Sequence, residues 1–424
     1  MAATSTGRAP TSGSARAVPG AYWAWLGGTT LSLVGVQAMA FAMAWVAAGE
    51  GGGFAALVLT AVNLPRALLL LVGGAVADRL GAWTVMVVSD AAMVVVTVAL
   101  AAAVWSAANP WLPLLLAALA IGVVDAFYLP STGSMPRRLV APAGLARAMS
   151  ARHLAGQLAM FVGPAAGSLL LAALGLAAVA LANAAGFALM LLVLMVLRAA
   201  LTVRPGESPG QPAGQLPGRP VAQPLWRAAV DGLLLAAAHA VLRPALLLVG
   251  VAAGFLLPVS GLLVPLLGRE RMWSSSATGA VVAALALGTA TVAILVLVRG
   301  ALPDPGRVSG AALLVAAGGV VTLAAAGSLP TSVAAGMVIG VGSGGFATHV
   351  GPLILAVAPD THVSRVQSVL VLVQSLPLLL TLNVLGSLAE VVPVAALLYG
   401  CAGVLAVAAV TALTSPSLRR ADRR

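Results

Sequence analysis

The sequence predicts an all-α membrane protein of twelve transmembrane helices, arranged as two pseudo-symmetric six-helix bundles. Three observations lead there. Of the 424 residues, 61% are hydrophobic and only 8% are charged, against about 25% charge in soluble domains, and the mean hydropathy is +1.07. Apolar runs close to the ~20 residues that cross hydrocarbon recur along the whole chain. The runs fall into six, a long polar break, and six more.

The first six runs cover residues 23–47, 54–77, 84–105, 112–129, 148–174 and 177–197. The second six cover 241–267, 277–298, 308–326, 331–357, 366–389 and 392–413. Ahead of them, 1–20 is rich in Ser, Pro and Ala, has no apolar stretch of its own, and reads as a disordered cytoplasmic tail. The bundles are then 21–198 and 241–414, with a linker at 199–240 and a basic cytoplasmic tail at 415–424. Alternating Pro and Gly from Pro205 to Gly218 leave no helix in the first part of the linker. From Leu225 to His239, Trp226, Leu233 and Leu234 oppose Arg227 and Asp231, which predicts a short amphipathic helix at the membrane surface.

All 22 basic residues are Arg, and with 11 acids the net charge is +11. They sit in the short breaks between apolar runs and form no single patch, which argues against nucleic acid as a partner. With the N-terminus inside, every Arg falls on the inner side except Arg269 and Arg271, outside, and Arg66, within a run. That asymmetry predicts a multi-pass protein of the cell membrane with both termini cytoplasmic. Without Lys there is no phosphate-cradling ATP loop of the Walker type. With one cysteine, Cys401, and no His/Cys cluster there is no thiolate metal site. No metal, no cofactor and no enzyme activity is therefore expected. The partners are protons, a small-molecule substrate and the lipid bilayer, and the chain is taken as a monomer.

The halves echo each other. Gly74-Ala-Val-Ala-Asp78-Arg79-Leu-Gly81 follows the second run, and Gly300-Ala-Leu-Pro-Asp304-Pro-Gly306-Arg307 follows the eighth. Arg152 precedes Pro164, and Arg365 precedes Pro377, by the same spacing in the fifth and eleventh runs. Such internal repeats mark two-half transporters.

The segment from Gly74 to Gly81 resembles the signature loop of the major facilitator superfamily. Asn63-Leu-Pro65-Arg66, Pro130 with Pro136-x-x-Leu139-Val140, and Arg365-Val-Gln-Ser with Pro377, Gly386 and Glu390 resemble its drug-exporter branch, the enterobactin- and macrolide-efflux-type permeases. The resemblance implies the major facilitator fold, and a conformational latch of Gly74, Asp78, Arg79 and Gly81 against the start of the eleventh span near Arg365. The family's basic residues after the second Gly are replaced here by Ala82, Trp83 and Thr84. Gly156 and Gly163-Pro164-Ala-Ala-Gly167 resemble the antiporter motif of drug/proton exchangers.

Three charges lie deep within the membrane, away from the ends of their runs: Arg66, Asp90 and Asp125. Each costs about 2.5–3.5 kcal/mol at a helix centre on insertion scales, so each needs a role. Arg66 and Asp90 are both twelve residues from Asp78, and Asp125 is twelve from Arg137. At 1.5 Å rise that is ~18 Å, which places all three near the membrane middle. They are the proton-coupling candidates: Asp125 as the carrier, or only the partner of Arg66, and Asp90 as a structural ion pair. Gln37, Asn63, Gln157, His349 and Gln374 are the polar in-span residues able to touch substrate, and Met39, Met43, Met160 and Phe161 are candidates for an adaptable apolar lining. The function expected is export of a lipophilic or amphipathic small molecule by proton antiport, through rocking alternating access. The alternatives are a uniporter or importer of an apolar metabolite, or a transport-inactive accessory or sensor protein.

Overall fold

The computed structural model describes residues 18–106, 109, 111–202, 239–357 and 363–421. The tails beyond them, and linker residues 203–238 with all but the last residue of the amphipathic helix expected at 225–239, lie outside the described residues. The first half is α1 (Gly20–Ala48), α2 (Gly52–Leu80), α3 (Ala82–Ser106), α4 (Trp111–Leu139) and α5 (Pro142–Thr202). The second half opens with α6 (Leu242–Phe255), a π-helical turn (Val259–Leu263) and α7 (Val264–Glu270), which together make one crossing. Then come α8 (Ser275–Arg299), α9 (Pro305–Ala325), α10 (Leu329–Val357), α11 (Val363–Leu388) and α12 (Val394–Thr414). A short α13, Pro416–Ala421, forms inside the segment read as a basic tail.

Among the described residues, 11 helical segments are long and apolar enough to cross a membrane. One of them, Pro142–Arg198, has 57 residues. At 1.5 Å per residue it would be about 86 Å long, nearly three times the ~30 Å hydrocarbon core. Gly175 resolves this: its φ of 79° interrupts the helix, in a region open to glycine but costly for residues with a Cβ. Before the break the chain runs parallel to α1, with Tyr22 at Ala148 and Ala38 at Gly167; after it the direction reverses, with Gly35 at Asn183 and Gly28 at Met190. α5 is therefore two crossings, and the described residues make the twelve crossings that the sequence predicts.

Helix ends extend past most of the apolar runs, because backbone hydrogen bonding continues after the side chains turn polar. The largest difference is α4. The sequence ends this span before Pro130, but the helix continues through Pro130 and Pro136 to Leu139. A helical proline frees the carbonyl four residues earlier, and in hydrocarbon that carbonyl needs cover. Pro130 frees the Ala126 carbonyl, which Gly73 of α2 faces; Pro65 of α2 frees the Ala61 carbonyl, which Gly122 of α4 faces. The two helices thus cover each other's broken hydrogen bonds. The second half uses glycine similarly. Gly336, Gly340 and Gly344 of α10 bring its backbone against α8, while Gly342 and Gly345 bring it against α9, the close approach that small residues allow between membrane helices.

The halves meet along two seams related by the internal repeat, α2 with α11 and α5 with α8. The contacts sit towards the face opposite the start of α1. Asn383 donates to Thr60 Oγ1 at 2.9 Å, and Gly53 N–H donates to Glu390 Oε1 at 2.8 Å. Ser275 donates to the Ser168 carbonyl at 3.2 Å. Arg269 donates from Nη2 to the Trp45 carbonyl at 2.9 Å and lies 4.1 Å from the centre of the Trp45 ring. Trp105 and Trp111 are exposed on this face and Trp23 on the other, as expected of aromatic belts at two membrane surfaces.

Adjacent glycines give a direct test of the α2–α4 contact. A Cβ on Gly73 would meet the Ala126 backbone, whereas one on Gly74 meets nothing within 4 Å. We expect Gly73→Ala to destabilise the protein by about 1–3 kcal/mol through overpacking. Gly74→Ala should be neutral or slightly stabilising, because alanine favours helix. Thermal unfolding of the two variants in detergent decides it: equal melting temperatures would mean that α2 and α4 do not pack in this way.

Candidate functional site

A cavity of ≈ 350 Å³ lies between the halves at mid-helix depth. α2 contributes Asn63, Arg66, Ala67 and Leu70, and α4 contributes Leu129. Leu257, just before the π-helical turn, comes from the second half, with Val371, Gln374, Ser375, Leu378 and Leu379 of α11. The α11 positions recur at helical spacing, so one stripe of that helix faces the cavity. The lining is mostly apolar, and Arg66 is its one charged member.

Asn63 bridges Arg66 to its own helix. Its amide nitrogen donates to the Leu59 carbonyl at 2.8 Å, and its amide oxygen accepts from Arg66 Nη2 at 3.0 Å. The spacing of three residues places both side chains on one face of α2. Asp125 of α4 lies within electrostatic reach of Arg66 but makes no ion pair with it; the salt bridge found among the described residues is Asp304 with Arg307, at 3.3 Å. Asp125 and Tyr128 share a face of α4, and Leu129 on that side lines the cavity.

Asp90 differs from the expectation of an ion pair. It is fully buried on α3, and both carboxylate oxygens lack a hydrogen-bond partner. The sequence shows its depth but not its surroundings: the side chain that acts on it is Tyr128 of α4, and no basic residue pairs with it.

Of the five residues considered for substrate contact, Asn63 and Gln374 line the cavity. Gln37, which packs its Cβ on Gly163, and Gln157 are partly buried on α1 and α5, outside this lining. His349 is a correction. It is buried in the second half, where Nε2 accepts from the Leu302 N–H at 3.1 Å and Nδ1 donates to the Gly345 carbonyl at 2.8 Å. Nε2 thus holds the Gly300–Asp304 loop and Nδ1 is tied to the helix's own backbone, so both ring nitrogens are already partnered away from the cavity. Met39 and Met43 are core residues, and Met160 is exposed away from the cavity.

In the loop after α2, Gly81 has a φ of 84° and forms the turn. Gly74 has open space around it; the close approach to α4 is made by Gly73. Arg79 is exposed. The side chains of Asp78 and Arg365 lie outside the described residues, and with them the expected latch. Gly163 and Gly167 pack against α1, and the Pro164 carbonyl faces Gly279 of α8. The motif thus joins a tight contact within the first half to the seam with the second. Gly156 has no neighbour at its Cβ position. The π-helical turn, Leu257 and the α11 stripe carry no local sequence signal; only the glycine and proline pattern around them hints at irregular backbone.

The chain matches the family model of the Major Facilitator Superfamily over residues 25–307. No curated protein matches the sequence significantly. Solved structures match its shape. A POT family transporter in complex with 5-aminolevulinic acid superposes with a TM-score of 0.71 at 13% identity, covering 93% of this chain and 96% of that one. A peptide transporter POT in complex with alafosfalin gives 0.73 at 13% identity, with 95% and 96% covered. A bacterial homologue of the iron transporter ferroportin, in an inward-facing state, gives 0.64 at 17% identity, with 95% and 99% covered. At these identities the likeness is one of fold. The matched sequence takes in both signature-type loops and two thirds of the helices, and the chain belongs to the Major Facilitator Superfamily of multi-pass membrane transporters.

Proposed function

We propose that the protein exports a lipophilic or amphipathic small molecule across the cell membrane in exchange for protons, as a member of the drug-exporter branch. The observation that carries this reading is the cavity: mostly apolar walls, with Asn63, Arg66 and Gln374 as fixed polar points. Such a site suits a molecule with a large apolar body and a few hydrogen-bonding groups. Both termini are read as cytoplasmic, so the seam at Trp45–Arg269 is external and the described conformation opens inwards.

The arrangement of Asn63, Arg66 and Asp125 supplies a coupling step of the right sign. In the conformation described, Asn63 holds the Arg66 guanidinium and Asp125 is free to carry a proton. A substrate that hydrogen-bonds to Asn63 competes for that amide and releases Arg66. The freed guanidinium then swings onto Asp125, stabilises the carboxylate and expels its proton. Substrate binding and proton release are thereby linked, which is the requirement of antiport. Rocking of the halves about the two seams then carries the loaded site to the other face, and the Asp78–Arg365 latch is proposed to hold that second state.

The decisive assay is proton release in everted vesicles under a pH gradient, with a panel of macrolide-like compounds and lipophilic cations. We expect substrate-induced release from the wild type and none from Asp125→Asn. Asn63→Ala, which leaves Arg66 free to stay on Asp125, should cut the release at least tenfold while substrate still binds. Flux that ignores the pH gradient would instead favour the uniporter reading.

The external seam makes a separate prediction. In a Cys401→Ser background, Gln374→Cys should react with an impermeant maleimide from the cytoplasmic side only. Adding Arg269→Ala removes the bond and ring contact to Trp45, and we expect several-fold faster labelling from outside. Unchanged labelling would mean that this contact does not hold the inward-open state.

A further inference from the structure

Asp90 is not explained by the cavity. It is 0% exposed, both of its oxygens are unpartnered, and the Tyr128 hydroxyl beside it is also buried without a partner. Tyr128 lies within electrostatic reach of two carboxylates, Asp90 on α3 and Asp125 on its own helix. Arg152 of α5 lies within electrostatic reach of Tyr128 and of Tyr22 of α1. Arg66 of α2 acts on Asp125. Tyr128 is thus the titratable group that acts on Asp90; Asp125 and Arg152 act on Tyr128, Tyr22 on Arg152 and Arg66 on Asp125, and none of them forms a salt bridge with Asp90.

A carboxylate sealed from water is neutralised, by a cation or by a proton. A metal ion is a poor fit. Calcium takes 6–8 oxygen ligands and magnesium a near-octahedral shell, whereas no group of three or more His, Cys, Asp and Glu side chains occurs among the described residues. A proton needs one acceptor, and the unpartnered Tyr128 hydroxyl is one.

We infer that Asp90 and Tyr128 form a second proton-binding site, separated from the cavity by α4, in which the Asp90 carboxyl carries the proton and donates it in a hydrogen bond to the Tyr128 hydroxyl. Tyr128 in turn joins this site to Asp125. The phenol occupies the face that Asp125 shares, so the charge on Asp125 changes the field at the hydroxyl to which Asp90 donates. The two carboxyls then titrate as a linked pair and not as independent groups. This deepens the proton-coupled reading and places the second proton where substrate cannot compete for it directly.

The test needs no substrate. Infrared difference spectra of the full chain in lipid nanodiscs, recorded across pH, report the C=O stretch of protonated carboxylic acids. Because Asp125 can contribute a band of its own, the comparison is made in the Asp125→Asn background: we expect a band at neutral pH there that is lost when Asp90→Asn is added. In Tyr128→Phe, which keeps the carboxyl and removes its acceptor, the band should move to higher frequency. The absence of the band from Asp125→Asn, or its survival when Asp90→Asn is added, overturns the inference. If Asp90→Asn does not fold, Tyr128→Phe decides alone, and an unshifted band is the adverse result. Antiport fails separately: vesicles that release no protons on addition of substrate, in a protein showing the Asp90 band, would sink the transport mechanism and leave this site standing.

Discussion

Hydrocarbon supplies no hydrogen bonds, so each backbone carbonyl and each charge inside the membrane must find its partner within the protein. Pro65 and Pro130 each release a carbonyl at the depth of the cavity, and Gly122 and Gly73 let the opposite helix come close enough to cover it. Arg66 turns to Asn63 on its own helix. His349 uses one ring nitrogen to hold a loop and the other to bond its own helix. These arrangements differ in detail but answer the same shortage of water. They also explain why so much of the second half consists of glycine faces: when the solvent is as apolar as the side chains, helices associate by close packing and not by hiding from the solvent.

The two halves then divide the work. Both seams are made by symmetry-related helices and are tied at one face by a few polar contacts, of which the Arg269–Trp45 pair has the most contact. A few hydrogen bonds and one cation–π contact amount to a handful of kcal/mol at most. An interface of that size holds one state and still lets it be left. The much larger packing inside each half keeps the bundles whole while they move.

The fold was legible because its signals are global. Twelve crossings follow from apolar run length, and the break at Gly175 follows from an apolar segment too long for one crossing. The mid-membrane depth of Arg66, Asp90 and Asp125 could be read by counting from polar loops. Partners could not be read in this way. Depth fixes position along a helix, but rotation about the helix axis decides who meets whom, and that rotation is set by packing from other helices. Hence Asp90, expected in an ion pair, faces Tyr128, while His349, a polar residue at a plausible depth, turns away from the cavity to the Gly300–Asp304 loop. Run-ending rules also mislead where a neighbour repairs the damage, as at Pro130. A motif records spacing and so points to Gly74, and only the helix rotation shows that Gly73 is the one of the two adjacent glycines that touches α4.

The reciprocal cover between α2 and α4 has a mechanical consequence. Sliding either helix would uncover two carbonyls at once, so the pair behaves as one stiff plate with Arg66 fixed to one side and Asp125 to the other. The backbone separation of these two charges is then nearly constant as the halves rock. What remains free is the guanidinium at the end of its own flexible stem. The gearing between cargo and proton thus comes down to a side-chain rotation, faster than any helix movement and open to adjustment by a single residue such as Asn63, without rebuilding the plate.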